Sequence, residues 1–226
     1  MSVNIINKIS IYNKLPWLYT RSAFIKSLNN QGTLLDVGCG TAPLSTFIKA
    51  LKPNFKIYGT DIYRAPQLPE NVEFKLSDLN DKINFEDNMF DVVVCSHVIE
   101  HLQHPDIALA EIWRVLKQNG ILYLEAPSQR SVFVPSFSGV NKSSNIPINF
   151  WDDPTHIRPY SQNSLENLCN SVNLSPIKSG YVRNWLAILT CWLTFPLAFI
   201  LQKRAFLVHS LWHITGWSSY VVAVKK

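Results

Sequence analysis

No cysteine in this chain has a close partner. Cys39, Cys95, Cys169 and Cys191 lie far apart and form no C-x-x-C pair, so free thiols in a reducing, cytoplasmic compartment are expected rather than disulfides. Charge is equally sparse. A net charge of +5 over 226 residues, with no dense run of Lys or Arg, is too weak to argue for nucleic acid. No basic stretch followed by an apolar core opens the chain, and no secretory signal is expected. Internal repeats and low-complexity segments are missing too. What is left is an apolar fraction of 47%, enough for one folded domain over residues 1–226.

The stretch Leu34-Leu35-Asp36-Val37-Gly38-Cys39-Gly40-Thr41 stands out. It reads as a strand covered on both faces, a glycine turn, and a helix capped by Thr41 with Pro43 in its first turn. Gly38 and Gly40 let the backbone turn sharply and approach a ligand. A dinucleotide fingerprint would need a third glycine where Pro43 stands. Asp36, just before the turn, would repel a pyrophosphate and welcome a cation. A second strand, Lys56 to Thr60, then ends at Asp61, placed to bind both hydroxyls of a ribose.

Strand and helix patterns alternate from there: Val72–Leu76, Phe90–Ser96, a helix from Pro105 to Leu116 closed by Lys117–Gly120, and Ile121–Pro127. This alternation means a parallel sheet with helical crossovers. The second helix is nearly absent, because Ala65–Glu70 holds two prolines. Ser161 caps a helix through Val172, Ser175–Val182 is a sixth strand, and Tyr220–Val224 a last one.

In the glycine turn, Asp61, Ser77-Asp78-Leu79 and the run from Phe90 to Leu102 with its V-x-E-H-L segment, the sequence resembles the class I S-adenosylmethionine-dependent methyltransferases. The likeness spans roughly residues 30 to 180 and is to the small-molecule branch: the Asp153–Pro159 string resembles bacterial sugar- and polysaccharide-pathway enzymes, and the Glu100-His101 segment resembles quinone-pathway enzymes. The resemblance implies a three-layer α/β/α sandwich on a seven-stranded, mostly parallel sheet whose last strand is antiparallel. It implies S-adenosylmethionine as cofactor, with Asp36, Gly38 and Gly40 at its methionine end, Asp61 on the ribose, and Asp78 and Leu79 by the adenine.

Three further segments bear on the acceptor. Residues 1–32 form a helical leader, either a roof over the cofactor or a helix packed on the sheet edge. Residues 128–160 form a long connection without periodicity, usually a functional feature. That loop holds Trp151, His156, Arg158 and Tyr160. His156, between Pro154 and Pro159, is a candidate base for a hydroxyl acceptor, with His101 its competitor. Arg158 suits an acidic substrate group, and Trp151 and Tyr160 are taken as pocket residues. The Glu100-His101 pair is read as structural and no metal is expected. Residues 185–217 are mostly apolar and broken by Lys203 and Arg204. Two helices lying in a membrane interface fit this insert; a lid over the acceptor or a contact with a second copy of the chain are the alternatives. Arg183, Lys203, Arg204, Lys225 and Lys226 would then face an anionic leaflet. The expected activity is methyl transfer to oxygen on a small or lipid-linked acceptor such as a glycan-pathway intermediate. Quinone- or lipid-pathway methylation and a non-catalytic cofactor-fold binding protein are the rivals.

Overall fold

The computed structural model describes residues 14–135, 147–200 and 204–226. Residues 1–13 of the leader, 136–146 of the long connection, and Lys203 lie outside them. Seven strands form one sheet in the order β3-β2-β1-β4-β5-β7-β6. They are β1 (Gln31–Val37), β2 (Asn54–Asp61), β3 (Val72–Leu76), β4 (Phe90–Ser96), β5 (Leu116–Pro127), β6 (Leu174–Tyr181) and β7 (Ser218–Lys225). Pairing is parallel from β3 through β5, and β7 runs antiparallel between β5 and β6. The order reverses at β1/β4, the switch point where open α/β sheets bind ligands.

Period-two alternation separates two cores. Leu35, Val93, Cys95, Leu122 and Leu124 pack under α3 (Pro105–Val115) and α4 (Gln162–Ser171). Their strand neighbours Leu34, Val92, Val94 and Tyr123 face α1 (Thr20–Ser27) and α2 (Pro43–Leu51). Both faces of the central strands are therefore buried, which is why they read as continuous apolar runs. Ser161 caps α4 by accepting from the Ser164 N–H, as its position before the helix predicts.

Two local details differ from expectation. The cap of α2 is Ala42, in left-handed backbone with φ +55° and no side-chain bond; Thr41 stays within the turn. Residues Leu116–Gly120 do not close α3 but begin β5, where the register shifts between Phe90 and Val92. Asn119 is left-handed there (φ +63°), and Lys117 is pinned by Asp91 at 2.9 Å, so the polar run forms an irregular strand entry.

The insert folds as α5 (Trp185–Ile200) and α6 (Arg204–Thr215). It leaves β6 and returns into β7 at the end of the sheet where β1, β2 and β4 finish. Among the described residues no helix is long and apolar enough to cross a membrane. Lys225, counted above with the leaflet-facing cations, is buried; its ammonium donates to Asn88 Oδ1 and to the carbonyls of Trp113 and Leu116.

Candidate active site

The glycine turn is held from β2. The N–H groups of Gly38 and Cys39 both donate to the Thr60 carbonyl, at 2.8 and 3.1 Å. Asp61 accepts from the Gly40 N–H at 2.9 Å through one oxygen and from the Ile62 N–H at 2.7 Å through the other. Gly38 has φ +70°, and a Cβ there would sit 2.2 Å from Val98 Cγ2; Gly40 has φ +51° with open space where its Cβ would be. The turn thus brings backbone to the edge of a cavity of about 520 Å³ whose wall includes Gly38, Asp61, Asp78, Leu79, His97 and His101.

No Lys or Arg is among the described residues lining this cavity, which suits a ligand without phosphates. Asp36 is buried beneath the turn, accepting from Ser45 Oγ at 2.8 Å. Burial pushes its carboxyl up to about 6, against the hydrogen bond from Ser45, and a nearby cation would stabilise its charged form. Asp78 lies beside Leu79 and accepts from the Asn80 N–H at 2.9 Å. Carboxylates, a glycine edge and an apolar floor could together hold S-adenosylmethionine, in which case Asp36 would favour its ammonium, Asp61 would meet the ribose hydroxyls, and Asp78 and Leu79 the adenine.

Of the acceptor-side candidates, His101 lines the cavity and His156 stands behind it, their rings 4.9 Å apart. His156 Nδ1 lies 2.6 Å from the Phe150 carbonyl, and its ring stacks on Phe150 at 4.5 Å. His101 Nδ1 lies 2.9 Å from Thr155 Oγ1. The Ile157 N–H donates to the Glu100 carbonyl at 2.7 Å, and Arg158 donates to the Gln103 carbonyl at 2.9 Å. These bonds lash residues 155–158 to the Glu-His turn. Arg158 and Trp151 are exposed. Tyr160 is a core residue whose hydroxyl reaches the Ile99 carbonyl at 3.4 Å.

Sequence reasoning missed a buried charge network next to this cavity. Arg21 of α1 donates to both oxygens of Glu125, at 2.5 and 2.8 Å. Tyr123 OH adds a third bond at 2.9 Å. His97 bridges Glu125 (3.1 Å) and Glu100 (3.2 Å). Burial opposes the charge on Glu125, yet Arg21 and His97 hold it well below the usual carboxylate range. Burial likewise opposes the charge on His97, but the bonds to Glu100 and Glu125 lift it to about 9. The other oxygen of Glu100 is buried without a hydrogen-bond partner, and a carboxylate oxygen of Glu100 lies within 4.8 Å of nitrogens of His101 and His156. A signal was present: Glu125 is the one charged residue in the apolar run Ile121–Pro127.

Similarity to known proteins agrees with this geometry. A family model described as a methyltransferase domain matches residues 14–179. The mitochondrial ubiquinone biosynthesis O-methyltransferase of Mus musculus is 31% identical over 101 residues, 40% of this chain and 27% of that protein. The ubiquinone/menaquinone biosynthesis C-methyltransferase of Burkholderia multivorans is 36% identical over 102 residues, 41% of this chain and 42% of its own. The chain thus spans less than half the length of these relatives. A crystal structure of a SAM-dependent methyltransferase from Archaeoglobus fulgidus superposes with TM-score 0.60 at 20% identity, over 90% of each chain. Another, the Burkholderia thailandensis 1,6-didemethyltoxoflavin N1-methyltransferase with S-adenosylhomocysteine, gives TM-score 0.58 at 14% identity, over 97% of this chain and 86% of that one. The chain belongs to the class I S-adenosylmethionine-dependent methyltransferases.

Proposed function

We propose that this enzyme methylates a hydroxyl oxygen on a small or lipid-linked acceptor, working against a membrane surface. When bound, S-adenosylmethionine supplies an electrophilic methyl group, so the chain's own task is to position the acceptor and take its proton. The observation that carries the reading is the α5–α6 insert. It sits at the same sheet end as the cofactor cavity, and Trp185, Leu189, Trp192 and Leu193 on α5 are exposed. Their spacing of four, seven and eight residues puts them on one helical face, with exposed Trp17 on the neighbouring segment. A tryptophan-rich face of this kind suits an interfacial helix. His156, its ring 4.9 Å from that of His101 on the cavity wall, is the candidate base, with His101 its competitor, and free cysteines suit a cytoplasmic setting.

The quinone-pathway reading is favoured by the two relatives above, whose names carry quinone biosynthesis. A test incubates the enzyme with methyl-labelled S-adenosylmethionine and either a lipid-linked glycan fraction or demethylated quinone precursors. Label in an ether of the glycan fraction supports the proposal, and label in the quinones alone replaces it. Co-sedimentation with anionic vesicles at low salt is expected; a protein that stays in the supernatant returns the insert to a lid or a contact with a second copy. With an acceptor in hand, His156→Ala should lower turnover about 100-fold with cofactor affinity intact. A loss confined to His101→Ala would move the role there.

A further inference from the structure

We infer that His97 is a proton switch set by the charge on the cofactor's sulfur: protonated while that sulfur is neutral, deprotonated while a sulfonium occupies the cavity. This rests on assigning the larger cavity to S-adenosylmethionine. Three observations carry it. First, a second, polar cavity of about 50 Å³ lies beside the larger one, and His97 lines both. The smaller space is roomy enough for water and includes Arg21, Glu125 and Ser218 in its wall.

Second, His97 is held in left-handed backbone at φ +58°, an uncommon state for a non-glycine residue that clusters at functional sites. Its N–H donates to the Glu125 carbonyl at 2.9 Å, which fixes the ring between the two cavities. Third, the charged groups that face the ring come from several elements and balance without the cofactor, two carboxylates against Arg21 and the imidazolium, with Tyr19 and His213 also in the small cavity's wall. Glu100 and Glu125 flank it, Arg21 is already bound to Glu125, and Ser218 Oγ lies 3.4 Å from Nε2. The indoles of Trp212 and Trp217 stand 6.1 and 5.8 Å from the ring, and His101 shares the larger cavity's wall.

With no sulfonium present, the bonds to Glu100 and Glu125 lift the imidazole to about 9, which keeps it charged through neutral pH. A second positive charge in the same poorly solvated space penalises that imidazolium, and His97 responds by losing its proton to the small cavity. The reaction then restores it. Methyl transfer breaks the S–C bond with its electron pair left on sulfur, forms an O–C bond, and frees one proton from the acceptor oxygen. The acceptor-side histidine takes that proton first and hands it on to His97, which shares the cavity wall with His101, as the sulfonium charge disappears, so the net charge of the site stays constant.

The test needs no acceptor. Calorimetric titration at pH 8, in buffers of differing ionisation enthalpy, counts protons released on binding S-adenosylmethionine and S-adenosylhomocysteine. His97→Asn is the comparison, because Asn tolerates left-handed backbone. Amino groups of the two ligands titrate near this pH, and subtracting the variant removes their contribution. The wild type should release on the order of half a proton more with S-adenosylmethionine than the variant's own difference. Equal differences in both proteins overturn the inference. Should the variant not fold, imidazole ¹⁵N shifts of the wild type decide: a charged His97 ring with both ligands overturns it, and a neutral ring with S-adenosylmethionine alone upholds it. Absence of S-adenosylhomocysteine binding would remove the cofactor assignment and this inference together.

Discussion

The two sides of the site are built by different means. On the cofactor side, backbone does most of the work: Thr60 and Asp61 hold the N–H groups of Gly38, Cys39 and Gly40, all within 25 residues of one another. On the far side, side chains do it: Arg21, His97, Glu100 and Glu125 come from a leader helix, a strand end, a short turn and another strand. A backbone cradle depends on a few glycines and tolerates change around them. A buried ion network depends on every member, because removing one leaves the rest charged and unpaired.

The sharpest break in that comparison should come from Glu125→Ala. It leaves Arg21 and His97 without their shared carboxylate, and a loss of roughly 3–5 kcal/mol in urea unfolding is expected. The exposed pair Lys56–Glu73 serves as control, where Glu73→Ala should cost less than about 1 kcal/mol. Similar losses for the two would deny the network its structural weight.

Gly40→Ala should separate binding from stability on the cofactor side. Its Cβ would enter open space, so the fold pays only the left-handed backbone cost of about 1 kcal/mol. The same methyl group would intrude on the bound ligand, and affinity for S-adenosylhomocysteine should drop by about 30-fold or more, equivalent to roughly 2 kcal/mol. Unchanged affinity would mean that the ligand does not approach this turn.

A smaller effect is expected from pH. His97 is raised above its ordinary 6.5 to about 9, so its stabilising contribution is complete below 6.5 and is lost as pH rises through 9. Glu125 is depressed, so its contribution is present above about 4.5 and is lost only in stronger acid. Unfolding midpoints of the wild type should therefore fall between pH 6.5 and 9, and those of His97→Gln should fall less. Parallel curves would remove His97 from the network's energetics.

The same contrast explains what could be read from the chain alone. Strands, their order of appearance, α2 and the capped helix α4 were legible because each follows from a local period or a local cap: Leu34 to Val37, Leu44 to Leu51, Ser161 before Leu165. Gly38, Gly40 and Asp61 were legible because a turn and the next strand tip lie close in sequence. The Arg21–Glu125 pair was not, since 104 residues separate its members and only the folded sheet brings them together. His97 is one of several histidines near Glu100 in the chain, and nothing in its sequence neighbours shows that Glu125 approaches from the next strand. Tyr160 looked like a pocket aromatic because its loop lacked periodicity; its burial, with the hydroxyl against the Ile99 carbonyl, is a tertiary fact. The charge on Lys225 suggested a surface, whereas three backbone and side-chain acceptors hold it inside.

The central claim is that the cavity bounded by the glycine turn and the tip of β2 holds the cofactor. Calorimetric titration of S-adenosylhomocysteine into the wild type and Asp61→Ala tests it most directly. Asp61 steadies the Gly40 N–H and in this account would also bind the ribose hydroxyls, and charge-assisted hydrogen bonds are worth roughly 1.5–3 kcal/mol. The account predicts at least about a tenfold loss of affinity in a variant that still unfolds cooperatively. Equal affinity in the two proteins would contradict it and place the cofactor elsewhere.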